Sequence, residues 1–141
     1  MDNSLAEAAA AFQARIGATP EQMADLEAFR QELVAANAVM NLVGPDSLPD
    51  FWNRHVYDSA QLLEHAPEAL TWADLGAGAD FPGLVLAILL KGRPGAHVWL
   101  IDSLGKRCRF LEIVVADLDL PATVINGRAE AQALAVEIVT A

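Results

Sequence analysis

The sequence predicts an α/β fold, a parallel sheet with strand order 3-2-1-4 behind an N-terminal helical segment. Three observations carry this. Apolar strand-like runs alternate with helical patterns from Thr71 onward, which gives parallel strands joined by right-handed crossovers. Thr71 to Leu90, TWADLGAGADFPGLVLAILL, compresses a buried strand, a glycine-rich turn and an apolar helix with almost no linker. Residues 3 to 65 read as successive helices with short breaks between them.

Residues 3–16 form an alanine-rich segment of good helix propensity. Thr19-Pro20-Glu21-Gln22 is a helix start, with Thr19 as N-cap, Pro20 at the first position and Gln22 completing a capping box. Met23, Leu26, Phe29, Leu33, Val34 and Ala36 then fall at amphipathic-helix spacing, and Asn41 to Pro45 ends the helix. A further helix is expected from near Ser47 to about His65, closed by Pro67. Trp72 to Leu75 form the first strand and Gly83 to Leu90 the helix after it. The second strand, His97 to Ile101, ends in Asp102, and Ser103 to Leu118 is the next helix. Ala122 to Ile125 is the third strand, a short helix spans 131–134, and Val136 to Val139 is the fourth strand. In this order the fourth strand is an open edge, which isolated domains avoid. The sequence is therefore expected to be shorter than the fold it belongs to, or to have that edge covered by another chain.

With 54% hydrophobic residues among 141, the chain can build one real core. The longest apolar run, Leu84 to Leu90, is far short of the ~18 residues that suggest a membrane span. The N-terminus shows no signal-peptide pattern. Cys108 is the single cysteine, which excludes an intrachain disulfide and a cysteine-based zinc site, and no other ligand cluster suggests a metal. These features predict a cytoplasmic protein. The net charge of −10 argues globally against a nucleic-acid ligand. Lys106, Arg107 and Arg109 nevertheless cluster after the second strand, and Arg54 with His55 make a second basic focus, so a local patch can steer an RNA.

Asp74-x-Gly76-x-Gly78-x-Asp80 lies between strand and helix, where open α/β sheets bind nucleotide-like cofactors. The glycines let the backbone turn tightly and approach a ligand, and the first helical amides point at the turn. Asp102 lies 24 positions beyond Gly78, where an acid receives both ribose hydroxyls. The alternative is an ordinary helix N-cap. Carboxylates at Asp74 and Asp80 would repel a pyrophosphate, so a cationic methyl donor such as S-adenosylmethionine suits the turn better than NAD. Arg54 and Asp58 are spaced i, i+4, which is equally the pattern of a surface ion pair. Lys106, Arg107 and Arg109 are either a solvated helix face or a basic edge that receives phosphates. His65 and His97 receive no role.

Five motifs together resemble one family. They are Asn41-Leu42; Phe51-Trp52-x-Arg54-His55-x-x-Asp58-Ser59; Asp74-Leu75-Gly76-x-Gly78-x-x-Phe81-Pro82-Gly83; Asp102-Ser103-x-Gly105-Lys106-Arg107-x-x-Phe110-Leu111; and Gly127-Arg128-Ala129-Glu130. The pattern is similar, over nearly the whole chain, to the bacterial 16S rRNA (guanine-N7) methyltransferases of the RsmG (GidB) family. The resemblance implies a Rossmann-like methyltransferase fold, here partial over residues 67–141 with residues 1–66 as the helical segment. It implies S-adenosylmethionine as donor and a guanine in the 530 loop of 16S rRNA, in the 30S subunit, as acceptor. Carried over by position, Gly76, Gly78 and Phe81 line the cofactor turn, Asp102 holds the ribose, and Ala129 and Glu130 contact the adenine. Arg54, His55, Lys106, Arg107, Arg109 and Arg128 are the RNA candidates.

The chain departs from the family pattern twice. Position 80 is glycine there and Asp here, which adds a Cβ and a charge where the methionine carboxylate approaches and is expected to weaken cofactor binding. Family members also continue well beyond position 141 through further strands. Two other readings stay open: a methyltransferase of small molecules, which the acidic balance favours, and an inactive fragment that binds cofactor or a partner through its open edge, a second copy of the chain among such partners.

Overall fold

The computed structural model describes residues 3–42, 48–76, 82–128 and 135–140. Helix α1 (Asn3–Ile16) is followed by α2 (Pro20–Met40), a π-helical segment (Phe51–Val56) and α3 (Tyr57–His65). Then β1 (Thr71–Leu75), α4 (Gly83–Leu90), β2 (His97–Asp102), α5 (Gly105–Asp117), β3 (Ala122–Asn126) and β4 (Ile138–Thr140) follow in order. The sheet is parallel, in the order β3-β2-β1-β4 that the alternation predicts.

The start of α2 is set as the sequence predicts. The Thr19 side chain accepts from the Gln22 amide at 3.1 Å while the Gln22 side chain accepts from the Thr19 amide at 2.9 Å. At its end Asn41 takes a left-handed conformation and its amide donates to the Asn37 carbonyl at 3.1 Å.

All eight residues of α4 are buried. A helix apolar all round belongs between layers, and α4 packs on β1 and β2 on one side and on α2 and α3 on the other. Helix α5 rests on β2 and β3 and also meets α2. One continuous core results, in which Leu26, Phe29, Leu33 and Trp52 of the helical segment join Trp72, Leu86, Leu100 and Leu111.

The expected helix from Ser47 differs in form. Leu48 to Asp50 form a turn, and the chain then winds wider than an α-helix before α3. The Asp50 carbonyl accepts from both the Arg54 amide at 3.0 Å and the His55 amide at 3.3 Å, which takes up an additional residue. The wider turn lets Phe51, Trp52 and Val56 all bury their side chains. At the other end the Ser59 hydroxyl donates to the His55 carbonyl at 2.7 Å. The fourth strand begins at Ile138 rather than Val136; just before it Glu137 donates its amide to the Thr71 carbonyl at 3.1 Å and turns its carboxylate onto the Leu70 and Thr71 amides at 2.9 and 3.3 Å.

Candidate active site

The carboxyl ends of β1, β2 and β3 open into a polar cleft of about 460 Å³. Gly76, Ile101, Asp102, Ser103, Arg107, Gly127 and Arg128 line it. Asp102 is the one carboxylate on that lining among the described residues. The side chain is 4% exposed, and its Oδ1 accepts the Leu104 amide at 2.8 Å. Its carbonyl accepts from the Gly127 amide at 2.9 Å and from the Cys108 thiol at 3.3 Å. The backbone on either side of the carboxylate is thus pinned to α5 and to the loop after β3, which fixes where the acid stands. Arg107 Nη1 lies 3.7 Å from Asp102 Oδ2.

Gly76 leaves β1 with φ +75° and donates its amide to the Ile101 carbonyl at 2.8 Å. A Cβ there would meet nothing within 4 Å, so the backbone angle and not crowding favours glycine. Chain segments near positions 76 and 102 therefore meet at one cleft. Gly78, Asp80, Phe81, Ala129 and Glu130 lie outside the described residues.

Asp74 does not line the cleft. It is 1% exposed, its Oδ2 accepts the Gly83 amide at 2.9 Å, and its Oδ1 accepts the Thr140 hydroxyl at 3.2 Å. The carboxylate joins the end of β1 to the start of α4 and to β4. Burial raises its pKa from 3.8 to about 6, against the lowering effect of the two hydrogen bonds. Thr140 as its partner carries no signal in the sequence.

The basic cluster is split by one helical turn. Arg107 lines the cleft, whereas Lys106 Nζ reaches the Met40 carbonyl at 3.4 Å and Arg109 lies over Gly105, whose Cβ would be 3.5 Å from its Nη1. Arg128 joins Arg107 on the lining from the loop after β3. Arg54 and His55 do not line the cleft, and Arg54 forms no ion pair with Asp58 among the described residues. Ser103 and Gly127 line the cleft too. The motifs contain both, yet neither carries a side chain whose chemistry would have singled it out. Among the described residues no group of three or more His, Cys, Asp or Glu could hold a metal.

The family model for rRNA small subunit methyltransferase G matches residues 22–141. A ribosomal RNA small subunit methyltransferase G of Caulobacter vibrioides (strain NA1000 / CB15N) is 60% identical over 133 residues, 94% of this chain and 62% of the relative. The protein of the same name in Caulobacter sp. (strain K31) is 60% identical over 119 residues, 84% of this chain and 54% of that one. That of Methylorubrum extorquens (strain PA1) is 46% identical over 111 residues, 79% and 53% of the two chains. The chain spans between half and two thirds of the length of these relatives. With the parallel sheet, the glycine leaving β1 and the buried acid closing β2, this match places the chain in the rRNA small subunit methyltransferase G family.

Proposed function

We propose that this chain holds the cofactor-binding part of a cytoplasmic S-adenosylmethionine-dependent methyltransferase acting on guanine N7 of 16S rRNA in the 30S subunit. The observation that carries the reading is Asp102, a nearly buried carboxylate set by its neighbours on the lining of a nucleoside-sized cleft. A carboxylate in that position suits two vicinal hydroxyls, and the polar lining suits an adenosine. Gly76, Asp102 and Gly127 would hold the cofactor on the described side, with Gly78, Phe81, Ala129 and Glu130 expected to complete the site. When bound, the cofactor supplies an electrophilic methyl group on a sulfonium.

Guanine N7 carries no proton in its neutral form, so no side chain need act as a general base, and His55 is not assigned that part. The work left to the protein is alignment of two bound partners and electrostatic support of the charge that develops on the purine. Arg107 and Arg128, on the cleft lining, would meet RNA phosphate beside the cofactor. Lys106 and Arg109 extend that edge, and Arg54 and His55 form a separate contact. Asp80 would weaken cofactor affinity, so Asp80→Gly should tighten it.

Titration calorimetry with S-adenosylhomocysteine tests the site. Binding by the wild type and a loss of about tenfold or more in Asp102→Ala is expected, the cost of removing a charged hydrogen-bonding group. Equal affinity in the two proteins would reject it. Tritiated methyl transfer to 30S subunits lacking the modification separates RNA from a small-molecule acceptor, the reading that the charge of −10 favours. Self-association along β4, where Val139 is 57% exposed, is a further expectation, and a clean monomer in size-exclusion chromatography would reject it.

A further inference from the structure

The first 66 residues hold ten acidic and three basic residues. One of the three, Arg30, is committed to Glu27 through hydrogen bonds of 2.7 and 2.8 Å. Arg15 is placed differently. It is exposed on α1, and among the described residues it pairs with no carboxylate. Its guanidinium instead stacks on Tyr57, 42 positions away at the start of α3, with Cζ 4.2 Å from the ring centroid and Nη2 donating to the phenol oxygen at 2.5 Å.

The stack borders a small depression of about 40 Å³ that Ala8, Ala11 and Asn53 also line. The alanines leave it open, and Phe12 and Trp52, both buried, form a fixed floor with ring centroids 5.7 Å apart. Arg54, the third arginine of the segment, follows Asn53 directly.

Stacking and the phenol contact restrain the guanidinium plane, and the side chain stays exposed with no carboxylate partner among the described residues. A fixed planar fork is the donor arrangement that suits phosphate oxygens, and a preorganised one loses less freedom on binding than a free side chain. The surrounding charge selects the kind of anion. The acidic balance of the segment, ten acids to three bases, disfavours a broad anionic surface, whereas one strand of RNA can touch a single point.

We propose that Arg15, held on Tyr57, is a phosphate clamp for the RNA backbone on the helical layer, with Asn53 on the same depression. This rests on the RNA reading given above, but on none of the residues that line the cleft.

The test is fluorescence anisotropy of a labelled RNA stem-loop with the whole chain between 50 and 200 mM KCl. Arg15→Ala should weaken binding about three- to tenfold at low salt and flatten the plot of log K against log salt by about 0.7, one phosphate contact to a single strand. Arg15→Lys should recover the slope and only part of the affinity, because charge returns without the fork. Melting temperature is followed in parallel, and Arg15→Gln replaces the alanine variant should that one fail to fold. Wild-type binding with an unchanged slope in Arg15→Ala or Arg15→Gln overturns the clamp and leaves the RNA reading standing. No RNA binding by the wild type at any salt overturns both.

Discussion

The Gly83 amide donates to Asp74 Oδ2 at 2.9 Å, and a Cβ on the same glycine would stand 2.8 Å from that oxygen and 2.3 Å from Leu100 Cδ2. The start of α4 and the end of β1 touch backbone to side chain with no room between them. Gly83→Ala should therefore destabilise the fold by about 1–3 kcal/mol through overpacking. Urea denaturation would show it as a lower midpoint, and an unchanged midpoint would mean that Leu100 moves aside freely.

Asp74 also makes stability depend on pH. Its folded pKa lies near 6 against an ordinary 3.8, so between these values the folded state binds more protons than the unfolded one. The stabilising contribution is complete below pH 3.8 and is lost as pH rises through about 6, on the order of 3 kcal/mol in all. Asp74→Asn keeps an acceptor for the Gly83 amide but cannot ionise. Its stability relative to wild type should rise from pH 4 to pH 8, whereas parallel curves would show that the carboxyl does not titrate in this range.

A second carboxyl lies between the helical layer and α5. Glu32 of α2 is raised from 4.5 to about 7 by burial and by the neighbouring Asp117 carboxyl at the end of α5. The sign is the same as for Asp74: this stabilisation is complete below pH 4.5 and lost as pH rises through about 7. Asp117→Asn removes the neighbouring charge, so it should raise the melting temperature more at pH 8 than at pH 5.5. An equal shift at both would show that the two carboxyls do not interact.

Cys108 lies behind the cleft, with its thiol on the Asp102 carbonyl at 3.3 Å. Burial raises its pKa, and the Asp102 and Glu112 charges raise it further. A thiol that stays protonated and covered reacts slowly. The native protein should therefore leave Ellman's reagent nearly unreacted at pH 7.5 and react fully in denaturant. Fast native labelling would mean that the turn after β2 opens readily.

The cleft itself was only partly legible. Asp102 and Gly76 stood out because a strand–glycine–helix pattern has few other uses, and both line the cleft. Asp74 carries the same residue type near the end of its strand, opposite Leu100, and the register puts Asp74 and Asp102 on one face of the sheet two positions apart. Their surroundings separate them: Gly83 and Thr140 close on Asp74, while the carboxylate of Asp102 reaches the cleft lining. Lys106, Arg107 and Arg109 formed one cluster in sequence, but a turn of about 100° per residue sends them to three different neighbours.

The sequence by itself determined the order of helices and strands among the described residues, which do not include the helix expected over 131–134, and with it the strand order of the sheet, the cap of α2 and the family. Each of these rests on local periodicity, on turn chemistry or on residues met in a fixed order. Tertiary structure alone decided that Asp74 is enclosed, that Arg107 turns toward Asp102, and that Arg15 meets Tyr57. The physical reason is that a side chain's partner depends on which faces of distant segments pack together, and burial of apolar surface sets that packing with no regard to the polar groups it brings into contact.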